Sequence, residues 1–128
     1  MVLAAAGGHT AAVQALLRLG ADPNARTAWD GTALMLAASR GHAEIVAALL
    51  RGGAAVDAAH DGATALMEAS CMGRAECVRL LLEAGADATL RLTGGTFEGK
   101  TALEVAEIKG HAETAVLLGR HCGHALFL

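Results

Sequence analysis

Asp61-Gly62-Ala63-Thr64-Ala65-Leu66-Met67-Glu68-Ala69-Ser70-Cys71-Met72-Gly73-Arg74-Ala75-Glu76-Cys77-Val78-Arg79-Leu80-Leu81-Leu82-Glu83-Ala84-Gly85-Ala86-Asp87 is the stretch on which the reading of the fold turns. Thr64 precedes a short apolar run, and Gly73 closes it. A threonine hydroxyl accepts a hydrogen bond from the orphan N–H groups of a first helical turn, so this residue opens a helix. Glycine adopts the left-handed backbone at little cost, so it ends one. A second run follows, with Leu81-Leu82 near its end and Gly85-Ala86 after it. The stretch therefore reads as two short helices separated by a glycine turn.

The same frame recurs along the chain. Gly8, Gly41, Gly73 and Gly110 are spaced by 33, 32 and 37 residues. Twelve residues after each of the first three comes another Gly-Ala, at Gly20, Gly53 and Gly85. Leu16-Leu17, Leu49-Leu50 and Leu81-Leu82 hold one register, and Leu117-Leu118 comes one residue early. Thr32-Ala33-Leu34, Thr64-Ala65-Leu66 and Thr101-Ala102-Leu103 precede the last three glycines. Leu34, Ala37 and Ala38 share one face of a helix, and Ile45, Val46, Leu49 and Leu50 form the buried side of the next. Gly53 is expected to end that second helix. No such unit buries its own apolar stripe, so each relies on the next.

Composition agrees with a thin core. Hydrophobic residues make up 54% of the 128, yet the chain has 31 Ala and 19 Leu against two Phe, one Trp and no Tyr. It is too apolar for a disordered segment, and small side chains must pack closely in place of large aromatic rings. The net charge of −3 argues against nucleic acid or an anionic membrane as partner, since both demand clustered positive charge. Cys71, Cys77 and Cys122 form no Cys-x-x-Cys pair, so a reducing intracellular compartment is expected, the cytoplasm with the nucleus still open. The uncharged N-terminal stretch lacks the leading Lys or Arg of a secretory signal, and Arg18 cuts it short of the about 20 apolar residues of a membrane span.

With these positions in register, residues 61–87 and Asp30 through Ala54 resemble ankyrin repeats, whose period is about 33. The resemblance covers residues 1–120. It implies an all-α solenoid with units 1–26, 27–59, 60–92 and 93–120, the first abbreviated because Met1 falls where the leucine of its Thr-x-Leu entry belongs. Either that unit is naturally short or the chain is part of a longer array. Residues 121–128 form a tail, and Ala125-Leu126-Phe127-Leu128 are positioned to cover the last unit. The signature proline is replaced by Ala33, Ala65 and Ala102, and the signature histidine by Met35, Met67 and Glu104. Between units the resemblance implies hairpin-like fingers at Asp22 to Gly31, Val56 to Gly62 and Asp87 to Lys100, the third longer by four or five residues.

The resemblance further implies a protein–protein interaction module that uses a concave groove and finger tips. The groove positions are Ser39-Arg40, Cys71-Met72 and Ile108-Lys109, at the ends of the inner helices. Candidate partner-binding residues are Trp29 and Asp30 on the first finger, His60 and Asp61 on the second, Phe97 and Lys100 on the third, with Ser39, Arg40, Met72 and Lys109. Trp29 and Phe97 are large aromatics at tips, which are costly to expose unless something covers them; each either folds back on its own finger or meets a partner. A single chain binding a partner protein, with no cofactor, no metal and no catalysis, is expected.

Other motifs invite other chemistry. Gly94, four residues, then Gly99-Lys100-Thr101 satisfies the spacing of a phosphate loop, but that loop needs a strand before it and a βαβ context. His121-Cys122-Gly123-His124 offers zinc-type ligands at a spacing that matches no structural zinc pattern. Glu104 and Glu107 share a helix face without a closed pocket around them. Glu68 lies on an inner helix, facing either the groove or a neighbouring Arg or Lys. His9, His42 and His111 recur in frame and are expected to bond loop backbone. A regulatory nucleotide- or metal-binding module, or an architectural piece of a larger protein, are the competing readings.

Overall fold

The computed structural model describes residues 1–27, 31–60 and 62–121. Among these the chain forms helices and no strands: α1 (Val2–Ala6), α2 (Thr10–Arg18), α3 (Ala33–Arg40), α4 (Ala43–Arg51), α5 (Ala65–Met72), α6 (Ala75–Glu83), α7 (Ala102–Lys109) and α8 (Ala112–His121). Each odd-numbered helix pairs with the even one after it. The odd helices also stack in order, α1 on α3 on α5 on α7, and so do α2, α4, α6 and α8. The result is two layers of helices running along one axis, all-α as the register implied.

The termini of the inner, odd-numbered helices follow from the sequence. Thr32, Thr64 and Thr101 each hold an extended backbone, and their hydroxyls accept from the N–H of Met35, Met67 and Glu104. At Thr101 the carboxylate of Glu104 also accepts from the Thr101 N–H, closing a capping box. Gly41, Gly73 and Gly110 stop these helices in the left-handed region. Gly53 ends the outer helix α4 in a similar way: one residue past the cap Gly52 it turns left-handed, φ 96°, and its N–H donates to the Leu50 carbonyl while that of Ala54 donates to Leu49. α2 and α6 repeat this with Leu19 before Gly20 and Ala84 before Gly85. One more residue completes the last outer turn before the chain reverses.

The core runs between the layers and from unit to unit. Leu34, Leu66, Ile45, Leu49, Leu81 and Val78 are buried to 1% exposure or less. Each such side chain contributes about 1.5–3 kcal/mol when removed from water. Between them sit Ala33, Ala37, Ala38, Ala65, Ala69, Ala102 and Ala106, likewise buried. Alanine here lets the inner helices approach closely. Leu50, expected inside, is only partly buried.

Polar ties repeat with the same period. The residue after each glycine turn reaches the backbone of the preceding unit: His42 Nε2 donates to the Ala6 carbonyl at 3.3 Å, Arg74 Nε to Ser39 at 3.0 Å and His111 Nε2 to Cys71 at 2.9 Å. The expectation that the in-frame histidines bond loop backbone is therefore corrected for His42 and His111, which bond helix carbonyls. They satisfy carbonyls in the last turn of the neighbouring inner helix, which have no partner within that helix. On the finger side, Asn24 Oδ1 accepts from the Ala55 N–H at 2.6 Å, and Asp57 Oδ1 from the Asp87 N–H at 2.9 Å. Both acceptors stand four residues after a Gly-Ala glycine.

The three fingers are hairpin-like. Arg26 bridges Thr32, and His60 bridges Ala63. In the third, the Gly99 N–H donates to the Leu92 carbonyl at 2.8 Å and the Leu92 N–H to Lys100 at 3.0 Å.

The tie at Gly73 gives a test. A Cβ there would stand 2.6 Å from His111 Nδ1, whereas no described atom lies within 4 Å of one at Gly110. Both glycines have positive φ, so alanine costs about 1–2 kcal/mol at either. Gly73→Ala must also displace the hydrogen-bonded imidazole, a further ~1 kcal/mol or more. Urea denaturation of the two variants is expected to rank Gly73→Ala as the less stable; equal losses would contradict the tie.

Candidate functional site

The site is built where the long finger meets two inner helices. α5 contributes Met67, Glu68 and Cys71, α7 contributes Val105, and the finger contributes Leu92, Gly94, Thr96 and Phe97, with Ala63 at the rim; together they line an open pocket of about 230 Å³. Glu68 and Cys71 are one helical turn apart, so both face the same side. Glu68 and Val105 hold the same register on stacked helices, four residues after their threonine caps, and Leu36 is their counterpart on α3. A row of apolar residues is thus interrupted by one carboxylate. The extra residues of the third finger let it fold over this row, and Phe97 is partly buried against it.

Glu68 is partly buried and has no hydrogen-bond or ion-pair partner among the described residues. Burial alone pushes its carboxyl above the ordinary glutamate value of 4.5. The salt bridge considered for it in the sequence is not formed with any described residue. The carboxylate with a described partner here is Glu104, which accepts from Arg91 Nη1 at 3.3 Å. The N–H of Thr101 holds the Glu104 carboxyl below its usual range, with Lys100 and Arg91 adding to the effect.

Arg40, Met72 and Lys109 occupy one register at the C-terminal ends of α3, α5 and α7 and are exposed, Met72 to 48%. Ser39 is partly buried, and its carbonyl is held by Arg74. Ile108, beside Lys109, is 56% exposed. Phe97 lines the pocket, while Lys100 stands exposed at the base of the same finger. His60 is exposed on the second finger, next to the pocket rim at Ala63. Trp29, Asp30 and Asp61 lie outside the described residues, as do Cys122 to Leu128. Met67, Leu92 and Val105 are not among the sequence candidates; Met67 and Val105 are also core residues, 4% and 1% exposed. The available signal was the in-frame series Leu36, Glu68, Val105, in which only the middle member is charged.

The competing chemistries meet specific obstacles. Thr101, the last residue of the phosphate-loop pattern, accepts from the Glu104 N–H and donates to its carboxylate at 3.2 Å, so its hydroxyl is engaged in starting α7. No group of three or more His, Cys, Asp or Glu among the described residues is placed to hold a metal ion. No described helix is long and apolar enough to cross a membrane. On the outer face, Arg79 bridges Glu76 and Glu83, and the Arg79 guanidinium holds the Glu76 carboxyl low.

A family model described as "Ankyrin repeats (3 copies)" matches residues 1–92, which includes α1 to α6 and the start of the long finger. No curated protein matches the sequence.

Two outcomes follow from the pocket chemistry. Because the folded-state pKa of Glu68 is raised, the folded protein binds its proton more tightly than the unfolded chain does. The group then lowers stability as pH rises through the window above 4.5, and the loss is complete above its folded value. Glu68→Gln is expected to melt higher than the parent at pH 7, with the gap closing below pH ~4. A gap that persists in acid would contradict the assignment. Second, Cys77 is 1% exposed, and burial raises its thiol further, an effect that the nearby Arg74 only partly offsets. Cys71 is half-open to the pocket. Iodoacetamide labelling read by mass spectrometry is expected to modify Cys71 at least about tenfold faster than Cys77.

Proposed function

The chain belongs to the ankyrin repeat family, whose members generally act as protein–protein interaction modules and are typically non-catalytic, and from that premise we propose that it is a binding module that grips a partner protein along its inner helices and fingers. The observation that supports this reading most is the exposed register row Arg40, Met72 and Lys109 beside an open, apolar-walled pocket over α5 and α7. The fold leaves this strip exposed while it buries Leu34, Leu66, Leu49 and Leu81 between the helices.

The chemistry of the strip suits a peptide-like or protein surface. Arg40 presents a planar fork to carboxylates and carbonyls, and Met72 adapts to irregular apolar contours. Phe97 offers an aromatic wall whose position the Leu92–Gly99 backbone bond fixes in advance, which lowers the ordering cost of binding. Trp29, Asp30, His60, Asp61 and Lys100 extend the proposed contact along the finger side, and Ser39 adds to it beside Arg40. The chain acts as a monomer, and its role is non-catalytic recognition without cofactor or metal.

Photo-cross-linking tests the reading by position. A photoreactive residue replacing Met72 is expected to form adducts with partner protein in extract of the source cells, and the same residue replacing Arg79 on the outer helix α6 is not. Equal adducts from both faces, or adducts from Arg79 alone, would contradict the groove assignment.

A further inference from the structure

The pocket over Glu68 carries a more specific conclusion, which rests on the groove reading above. Its volume of about 230 Å³ is below the about 300–1,000 Å³ of small-molecule sites. It is the size for a side chain rather than a cofactor. Its walls are mostly apolar: Met67, Leu92, Phe97 and Val105, with Cys71 and Thr96 between them. A carboxylate with no partner among the described residues stands among them.

A carboxylate only accepts hydrogen bonds while ionised. In this pocket it has lost part of its water and gained no donor. An occupant that restores the lost interaction must carry a donor, and the strongest donor to a carboxylate is a cation, through a charge-assisted hydrogen bond. The occupant must also present apolar surface to the walls on its way in. Lysine and arginine combine the two, a methylene stem that packs on apolar groups and a charged head beyond it. The net charge of −3 favours the approach of such a group.

We propose that the pocket formed by α5, α7 and the long finger receives a lysine or arginine side chain from an extended segment of the bound partner, its stem against Met67, Val105 and Phe97 and its charged head on Glu68. Glu68 thereby sets specificity: it selects a basic residue at one position of the partner and disfavours an acidic one, while Leu36, its partly buried register neighbour on α3, offers apolar contact at the adjoining position. The third finger is the part of the fold that makes this subsite, because its additional residues place Leu92 and Phe97 over α5.

The test uses the full chain, labelled with ¹⁵N, and three capped tripeptides, acetyl-Gly-X-Gly-amide, with X lysine, norleucine or glutamate. The lysine peptide is expected to shift the amide signals of Met67, Glu68 and Phe97 and to bind at least about fivefold more tightly than the norleucine peptide, the gain of one partly desolvated ion pair. The glutamate peptide should bind weakest. In Glu68→Gln the lysine and norleucine peptides should bind alike, and in Phe97→Ala both should weaken. Thermal melts of both variants establish that they are folded. Equal binding of lysine and norleucine peptides to the parent, a lysine preference that survives Glu68→Gln, or shifts located elsewhere would each overturn the proposal. The groove reading is judged separately: adducts from position 72 would stand even if this subsite were empty of basic side chains.

Discussion

A pair of helices eight and nine residues long, such as α3 and α4, is too narrow to hide its own apolar surface, and the whole molecule is organised around that deficit. Helices this short are marginal in water on their own. Each pair gains its stability from the next pair laid alongside. Leu34 and Leu66 are almost fully buried because α3 and α5 are stacked, and the alanines around them bring the two backbones close. The same requirement repeated four times along the chain produces two parallel layers instead of a central globule.

Stacking also fixes direction and register. Burial is non-directional and by itself would tolerate sliding of one pair on the next. The polar ties do not: His42, Arg74 and His111 each reach one particular carbonyl of the preceding inner helix, and Asn24 and Asp57 each accept from one particular backbone N–H of the following unit. The glycine facing each tie is left-handed and carries no Cβ, which makes room for the incoming side chain. Register then aligns Leu36, Glu68 and Val105 into one row and Arg40, Met72 and Lys109 into another, so the proposed contact surface is a consequence of the stacking geometry. The pocket arises at the one described finger that is longer than the period requires.

The repeat frame was legible in the residues because its signals are local. A threonine cap, a glycine stop and an apolar spacing of three and four are decided within one helix, and Thr64, Gly73, Leu34, Ala37 and Ala38 behave as they read. Gly53 likewise ends the outer helix α4, one residue past its cap Gly52. Contacts between units were harder to see. In-frame His42 and His111 marked scaffold positions, but the carbonyls they reach lie 36 and 40 residues away, and no spacing rule connects them. Arg74 performing the same task as the histidines was invisible for the same reason. At the site, Phe97 stood out by type and Glu68 read as facing either the groove or a neighbouring cation, whereas Met67, Leu92 and Val105 carried no signal of their own. Their convergence depends on how the long finger folds back, which is a tertiary fact.

If stability resides between the pairs, protection should depend on how many neighbours a pair has. Native-state hydrogen exchange measured along the chain is the direct test. Amides in α3 and α5, covered on both sides, are expected to exchange slowest, with α1 and α7, each covered by one described neighbour, exchanging faster. Uniform protection across all four inner helices, or slowest exchange in α1 or α7, would show that each pair is stable by itself and would contradict the account.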